Sequence, residues 1–248
     1  MRRPGREARA RAAAVGVVVP VHDEEELLDR ALESVVAAVE VAAGRSSAAF
    51  RTIVVLDDCT DGSSAIADRW RERVASRISP HRLRVVVTES GRVGAARAAG
   101  CRAVLDEFAV LDRHRVWLAS TDADSSVPDR WLVEQLHHQV RGADAWLGTV
   151  EVEAPSTGHD PTVQAWRRRY ESERYPVHGA SMGVAGHAYL EAGGFAARAT
   201  GEDRALVDAL AQVGAHVVHD HRAPVLTSAR RDARAPLGVG HDLTRLDA

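Results

Sequence analysis

The strongest constraint on this chain is an alternation: short Val-rich runs are separated by segments whose apolar residues recur at helical spacing. Val15–Val21 and Ile53–Leu56 are continuous apolar runs, the pattern of strands buried on both faces. Between them, Leu27, Leu28, Ala31, Leu32, Val35, Val36 and Val39 define one helical stripe, with Asp23 and Glu26 placed as a capping box before it. Gly44–Ala48 reads as a loop. A helix is expected at about Ser64–Ser76, a strand at Leu83–Val87, a helix from Gly91–Gly94 to about Val110 and a strand at Val116–Ser120. A short helix begins at Pro128, and Ala145–Val152 reads as a fifth strand. Such an order predicts an α/β domain with a mainly parallel central sheet flanked by helices.

The second half is less regular. Val163–Tyr175 reads as a helix, Ser181–Ala185 as a strand, Gly193-Gly194-Phe195 as a turn, Glu202–Gln212 as an amphipathic helix and His216–Val218 as a short strand. Beyond Arg222 the polar, Arg-rich sequence reads as a loop or tail. No repeat or long linker divides the chain. We therefore expect one domain over 15–248 after a basic tail at 1–14, with a Rossmann-like nucleotide-binding half (15–125), an acceptor half (126–222) and a C-terminal tail (223–248).

At 248 residues and 45% hydrophobic content, the chain can bury a full core without disulfides. A net charge of -3 gives no general attraction to nucleic acid. All 32 basic residues are Arg, so a cationic phosphate contact must come from Arg or His. The basic start before Ala12–Val19 mimics a signal peptide but runs into Pro20, His22 and four acids, and no apolar window is long enough for a bilayer. With Cys59 and Cys101 in no framework spacing, we expect a cytoplasmic protein without a transmembrane segment.

Ligands of open parallel sheets bind beyond the carboxyl ends of the strands. Asp122 and Asp124 follow the Val116–Ser120 strand directly. Carboxylates so close repel unless a cation or proton intervenes, and hard oxygen ligands suit Mg²⁺ or Mn²⁺. Alternatively, both are solvated loop residues. Asp57 closes the second strand, where it can accept a hydrogen bond from a base or ribose, or merely shape a turn; Asp61 and Thr60 read as a helix start. Glu202 and Asp203 supply a candidate general base, or a capping box with Thr200. Arg97 is a candidate phosphate contact or an exposed helical residue. His219, His221, Arg230, Arg231 and Arg234 could close over a diphosphate, or remain a solvated tail. His81, His114 and His178 carry no signal.

Seven motifs in order then make the chain resemble the family 2 glycosyltransferases: Val17-Val-Val-Pro-Val-His-Asp-Glu-Glu, Val55-Leu-Asp-Asp-Cys-Thr-Asp-Gly-Ser, Gly94-Ala-Ala-Arg-Ala-Ala-Gly, Ser120-Thr-Asp-Ala-Asp, Gly193-Gly-Phe, Gly201-Glu-Asp and Thr227-Ser-Ala-Arg. The resemblance runs from Val15 to about Val239 and implies a GT-A fold. It implies an inverting, metal-dependent transfer of a sugar from a UDP- or GDP-sugar to a hydroxyl on a small-molecule or lipid-linked acceptor. Pro20 and Val21 would line the base pocket, Asp57 would contact the base, and Arg97 would lie near the nucleotide. Asp122, Ala123 and Asp124 would meet the donor, Asp122 at the ribose or the metal and Asp124 as the principal metal ligand; from the basic tail itself, Arg230 is a candidate phosphate contact and His221 a candidate metal ligand. Asp203 would be the base, with Glu202 its neighbour.

This chain departs from the family where Asn is frequent (Asp23, Ala98) and at Leu56, where many members carry an acid. It has no Q-x-x-R-W motif, so a non-processive transfer is expected. The alternatives are a nucleotidyltransferase on a related sheet, against which the acidic stretch after the first strand argues, and a non-catalytic nucleotide-sugar-binding protein.

Overall fold

The computed structural model describes residues 11–77, 81–153, 160–172, 176–231 and 238–247. Most of the basic N-terminal tail, Arg234 and Tyr175 lie outside the described residues.

The alternation produces a doubly covered sheet. Strands β1 (Ala14–Val21), β2 (Ala49–Asp57), β3 (His81–Thr88) and β4 (Val116–Ser120) run parallel, in the spatial order β3-β2-β1-β4. Helices α1 (Leu28–Ala43), α2 (Ser63–Ala75) and α3 (Val93–Glu107) connect the first three strands and lead on toward the fourth. Beyond β4 the sheet continues through β8 (Met182–Ala185), antiparallel to both its neighbours, to β6 (Ala145–Leu147) and β9 (Val217–His219).

Every residue of β1 is buried. Val15, Val17, Val19 and Val21 pack in the cluster that holds the α1 stripe, Trp70 of α2 and Trp131 of α4 (Trp131–Val140). Ala14 and Val18 point into the opposite cluster with Val104 of α3, Tyr189 of α6 (Gly186–Glu191) and Leu206 and Leu210 of α7 (Glu202–Gln212). The strand period of two thus feeds two cores. Each core cluster joins side chains from several helices to the sheet, which fixes the helices on its faces.

Three expectations are corrected. Ala145–Val152 is two strands, because the chain changes sheets at Gly148: β7 (Val150–Val152) joins β5 (Ser125–Ser126) and β10 (Val225–Thr227) in a small sheet ordered β5-β10-β7. The sequence after Arg222 therefore contains a strand, and also α8 (Val239–Asp247), which packs on α5 (Pro161–Glu171). Asp23 does not cap α1, whose first turn has no side-chain cap. Instead Asp23 adopts a left-handed backbone (φ 52°) and accepts from the backbone N–H groups of Thr60 (2.6 Å) and Asp61 (3.2 Å), joining the loops after β1 and β2. Asp61 does serve the start of α2, accepting from Ser63 N at 2.9 Å.

Helix α3 lies unusually close to the sheet. A Cβ on Gly100 would fall 2.3 Å from Val18 Cγ1 and 3.0 Å from Val55 Cγ2, both buried. Gly100→Val should therefore lower unfolding stability by about 2 kcal/mol in urea titrations, as overpacking does. Gly44→Ala, whose Cβ would meet nothing nearer than 3.7 Å, should be neutral or slightly stabilising. Equal effects at the two sites would refute the close-packing account.

Candidate active site

The strand order reverses between β1 and β4, and open sheets bind their ligands in the crevice beyond the carboxyl ends of the strands at such a reversal. The structure places Pro20 and Val21 at the buried end of β1, and the acids of the next loop above them. Asp122, Ala123 and Asp124 form the turn between β4 and β5; Ala123 is buried and the two acids are half-buried.

Asp124 accepts from Ser125 Oγ at 3.0 Å and from Arg230 at 3.5 Å. Arg230 also forks onto Glu24, at 2.8 and 2.7 Å, so the tail is drawn over the loop that follows β1. Burial pushes the Asp124 carboxyl up to about 6, and the neighbouring charges of Asp122 and Glu24 push the same way against Arg230. The pair Asp122 and Asp124 thus share one electrostatic environment rich in hard oxygen donors. Among the described residues no three His, Cys, Asp or Glu side chains converge as a metal cage. In particular, His221 does not complete one with Asp122 and Asp124: it is exposed on the loop after β9, next to Asp220, whose carboxylate is held by Arg222 and His138.

Asp57 ends β2 almost wholly buried. Its carboxylate accepts from Thr88 Oγ1 (2.8 Å), Ser90 N (2.7 Å), Ser90 Oγ (2.8 and 3.0 Å) and Arg92 N (3.1 Å). Burial opposes its charge, and these bonds overcome that, holding the carboxyl below its ordinary range. Asp57 therefore organises the loop after β3, and the carbonyl of Asp57 accepts from His22 Nδ1 at 2.7 Å.

Arg97 is the largest correction. The exposed-residue reading fails: Arg97 is 2% exposed and donates to Ser120 Oγ (3.1 Å), Glu202 Oε1 (2.6 Å) and the Asp122 carboxylate. Burial works against its charge, and Asp122, Glu202 and Asp203 more than compensate, raising its pKa. Glu202 is itself pushed up by burial, with Arg97 opposing. Thr200 caps nothing here; α7 starts after Gly201 in the left-handed region (φ 72°) without a side-chain cap. The neighbouring Asp203 is half-buried and accepts from Gly179 N at 3.0 Å and Arg204 N at 2.6 Å. One cluster thus joins Asp122, Arg97, Glu202 and Asp203, drawn from three separate segments.

Sequence reasoning missed Glu24, Ser90, Ser120 and Gly179. Glu24 stood in the acidic stretch after β1, but its pairing with a residue 206 positions away has no local signature. Arg231, read beside Arg230, instead ties Asp160 and Asp247 together, fastening α8 to the start of α5.

The model for Glycosyl transferase family 2 matches residues 16–189. No curated protein matches the chain. Among solved structures, it superposes on S. aureus TarS 1-349 with TM-score 0.59 at 14% identity, covering 92% of this chain and 68% of that one. The mannosyltransferase PcManGT from Pyrobaculum calidifontis, in complex with GDP-Man and Mn²⁺, gives TM-score 0.60 at 18% identity over 91% of this chain and 61% of that one. Glucosyl-3-phosphoglycerate synthase from Mycobacterium tuberculosis, with Mg²⁺ and UDP, gives 0.55 at 14% identity over 87% and 70%. At such identities the likeness is one of fold, and the chain spans only 41% of the longer S. aureus TarS chain. No described helix is long and apolar enough to cross a membrane. The family match covers most of a sheet that carries its acids where the strand order reverses, and the chain belongs to glycosyl transferase family 2, with a GT-A-type fold.

Proposed function

We propose that this protein is a non-processive, inverting glycosyltransferase that moves a sugar from a UDP- or GDP-sugar to a hydroxyl acceptor with a divalent cation. The observation that carries the reading is the meeting of Asp122 with Glu202 and Asp203 around Arg97 beside the crevice. It brings a donor-side acid and a candidate base to one place.

The residues suit Mg²⁺ or Mn²⁺. Asp124 and Asp122 offer hard carboxylate oxygens, and burial, together with the charge of Asp122, already raises the proton affinity of Asp124. Two protein ligands leave room for water and diphosphate oxygens, which accords with solved relatives that hold Mn²⁺ with GDP-Man or Mg²⁺ with UDP. When bound there, the cation would neutralise charge on the departing diphosphate. Arg230, which forks onto Glu24, can reach the same phosphates with bidentate geometry.

Asp203 is the base in this reading. The acceptor oxygen attacks the anomeric carbon opposite the diphosphate and passes its proton to the Asp203 carboxylate. The bond between that carbon and the diphosphate oxygen breaks, its electron pair leaves with the diphosphate, and the configuration inverts. Gly179 N–H, donating to Asp203, holds one carboxylate oxygen in place. Asp57 shapes the nucleotide side through the loop it binds, and Pro20 and Val21 floor it.

With Mn²⁺ and a panel of UDP- and GDP-sugars, wild type should hydrolyse or transfer at least one donor. Asp203→Asn should lower kcat by roughly 10²–10⁴-fold, the usual worth of a positioned base, and Asp124→Ala should abolish Mn²⁺-dependent nucleotide binding. Wild-type rates in both variants would end the assignment. Pyrophosphate release from an NTP and a sugar phosphate would point to nucleotidyl transfer, and tight donor binding without turnover to a non-catalytic binder.

The electrostatics also fix a pH dependence. In metal-free buffer the folded Asp124 binds its proton up to about 6, above the ordinary 3.8 of an unfolded chain. Its contribution is therefore fully present below pH ~4 and lost as pH rises through about 6. Asp124→Asn lacks that loss. Relative to wild type it should gain on the order of 2 kcal/mol between pH 4.5 and 7.5 in urea unfolding. Parallel curves for the two proteins would show that Asp124 ionises without penalty.

A further inference from the structure

Arg97 looks at first like a donor contact, since it lies beside the acids of the crevice. The geometry points elsewhere. Its three bonded nitrogens face protein acceptors on Ser120, Glu202 and Asp122. Its Cζ lies 5.9 Å from the centroid of the Phe195 ring. The backbone of Gly179 presses so near that a Cβ there would fall 2.5 Å from Cζ. A diphosphate could reach this guanidinium only by breaking the cluster that neutralises it.

We infer that Arg97 is a positioning residue: it ties the donor-side acid Asp122 to the first turn of α7 and so sets where Asp203 meets the acceptor. This inference rests on Asp203 being the base. The first turn of α7 has no side-chain cap, and Gly201 before it is in the left-handed region. Two side-chain hydrogen bonds tie that turn to other segments: Glu202 to Arg97 and Asp203 to Gly179 N. Both meet at Arg97, because Gly179 is the residue packed against the guanidinium. A planar fork with fixed N–H directions can serve Ser120, Asp122 and Glu202 at once, which a single ammonium on a flexible stem cannot. Displacement of a reacting group by about 1 Å can cost about 100-fold in rate. Loss of the fork should thus register in turnover far more than in donor affinity, because Asp124 and Arg230, which the fork does not touch, would still hold the cation and the phosphates.

The test compares Arg97→Lys and Ser120→Ala with wild type, using Mn²⁺ and the UDP- or GDP-sugar that wild type turns over. Calorimetric titration with UDP or GDP plus Mn²⁺ gives nucleotide affinity and the fraction of competent sites. Arg97→Lys keeps a buried cation beside Glu202, and Ser120→Ala removes one acceptor and no charge, so a folded variant is available even if the first fails. We expect kcat per competent site to fall about 100-fold in Arg97→Lys and several-fold in Ser120→Ala. Donor KM and nucleotide Kd should stay within about threefold. A tenfold or larger rise in KM or Kd with kcat retained would overturn the inference in favour of a direct donor contact. Lower melting temperature with unchanged kcat per competent site would overturn it in favour of a purely structural role. Wild type inactive on every donor would instead bring down the proposed function itself.

Discussion

Carboxylates crowd the place where the strand order turns back on itself, and two guanidinium groups make that crowding tolerable. Arg97 spans Asp122 and Glu202, while Arg230 spans Glu24 and Asp124. Without them, several like charges would share a partly dry cleft, and protons would have to replace the missing cations. The compensation is complete enough to keep Arg97 ionised in the interior but incomplete at Asp124, whose carboxyl remains a stronger base than usual. On the proposed reading, a divalent ion bound at the turn after β4 would complete that compensation.

The two arginines differ in depth. Arg97 is sealed between a helix, a strand end and the backbone of Gly179, whereas the side chain of Arg230 retains 22% of its exposure on a segment near the carboxyl end. One cation is thus built into the frame, and the other sits where a ligand can compete for it. The reaction proposed above uses this difference: the inner cation keeps the acids aligned, and the outer one is available to phosphate. Both are Arg because the chain contains no Lys, and the forked geometry at each site is one that only Arg provides.

The parallel sheet was legible because strands buried on both faces leave continuous Val-rich runs, and β4 and α7 coincide with their expected spans. Other features needed tertiary partners. Gly148 and the exposed Glu151 interrupt the apolar run from Ala145 to Val152, but nothing local shows that Val150–Val152 joins a different sheet from Ala145–Leu147. Asp23 matches a capping box, but the backbone N–H groups of Thr60 and Asp61 compete for its carboxylate and win. β10 is three residues long and has no period of its own. Arg97 did leave a trace: Gly100, Cys101 and Val104, three, four and seven positions on, are all on the buried face of α3, and that spacing puts Arg97 on the same face.

The small sheet joins distant parts of the chain at the acidic turn. β10 is its middle strand, with β5 on one side and β7 on the other, and Thr227 Oγ1 bonds Ser125 Oγ at 3.0 Å across 102 residues. On a ribosome, the first three strands and their helices emerge together and can pair early. The brace beneath Asp124, by contrast, arrives only after Thr227 has left the exit tunnel, followed by the guanidinium that quiets Glu24. A nascent chain therefore pairs the first strands of its sheet well before the acids at the turn after β4 are secured.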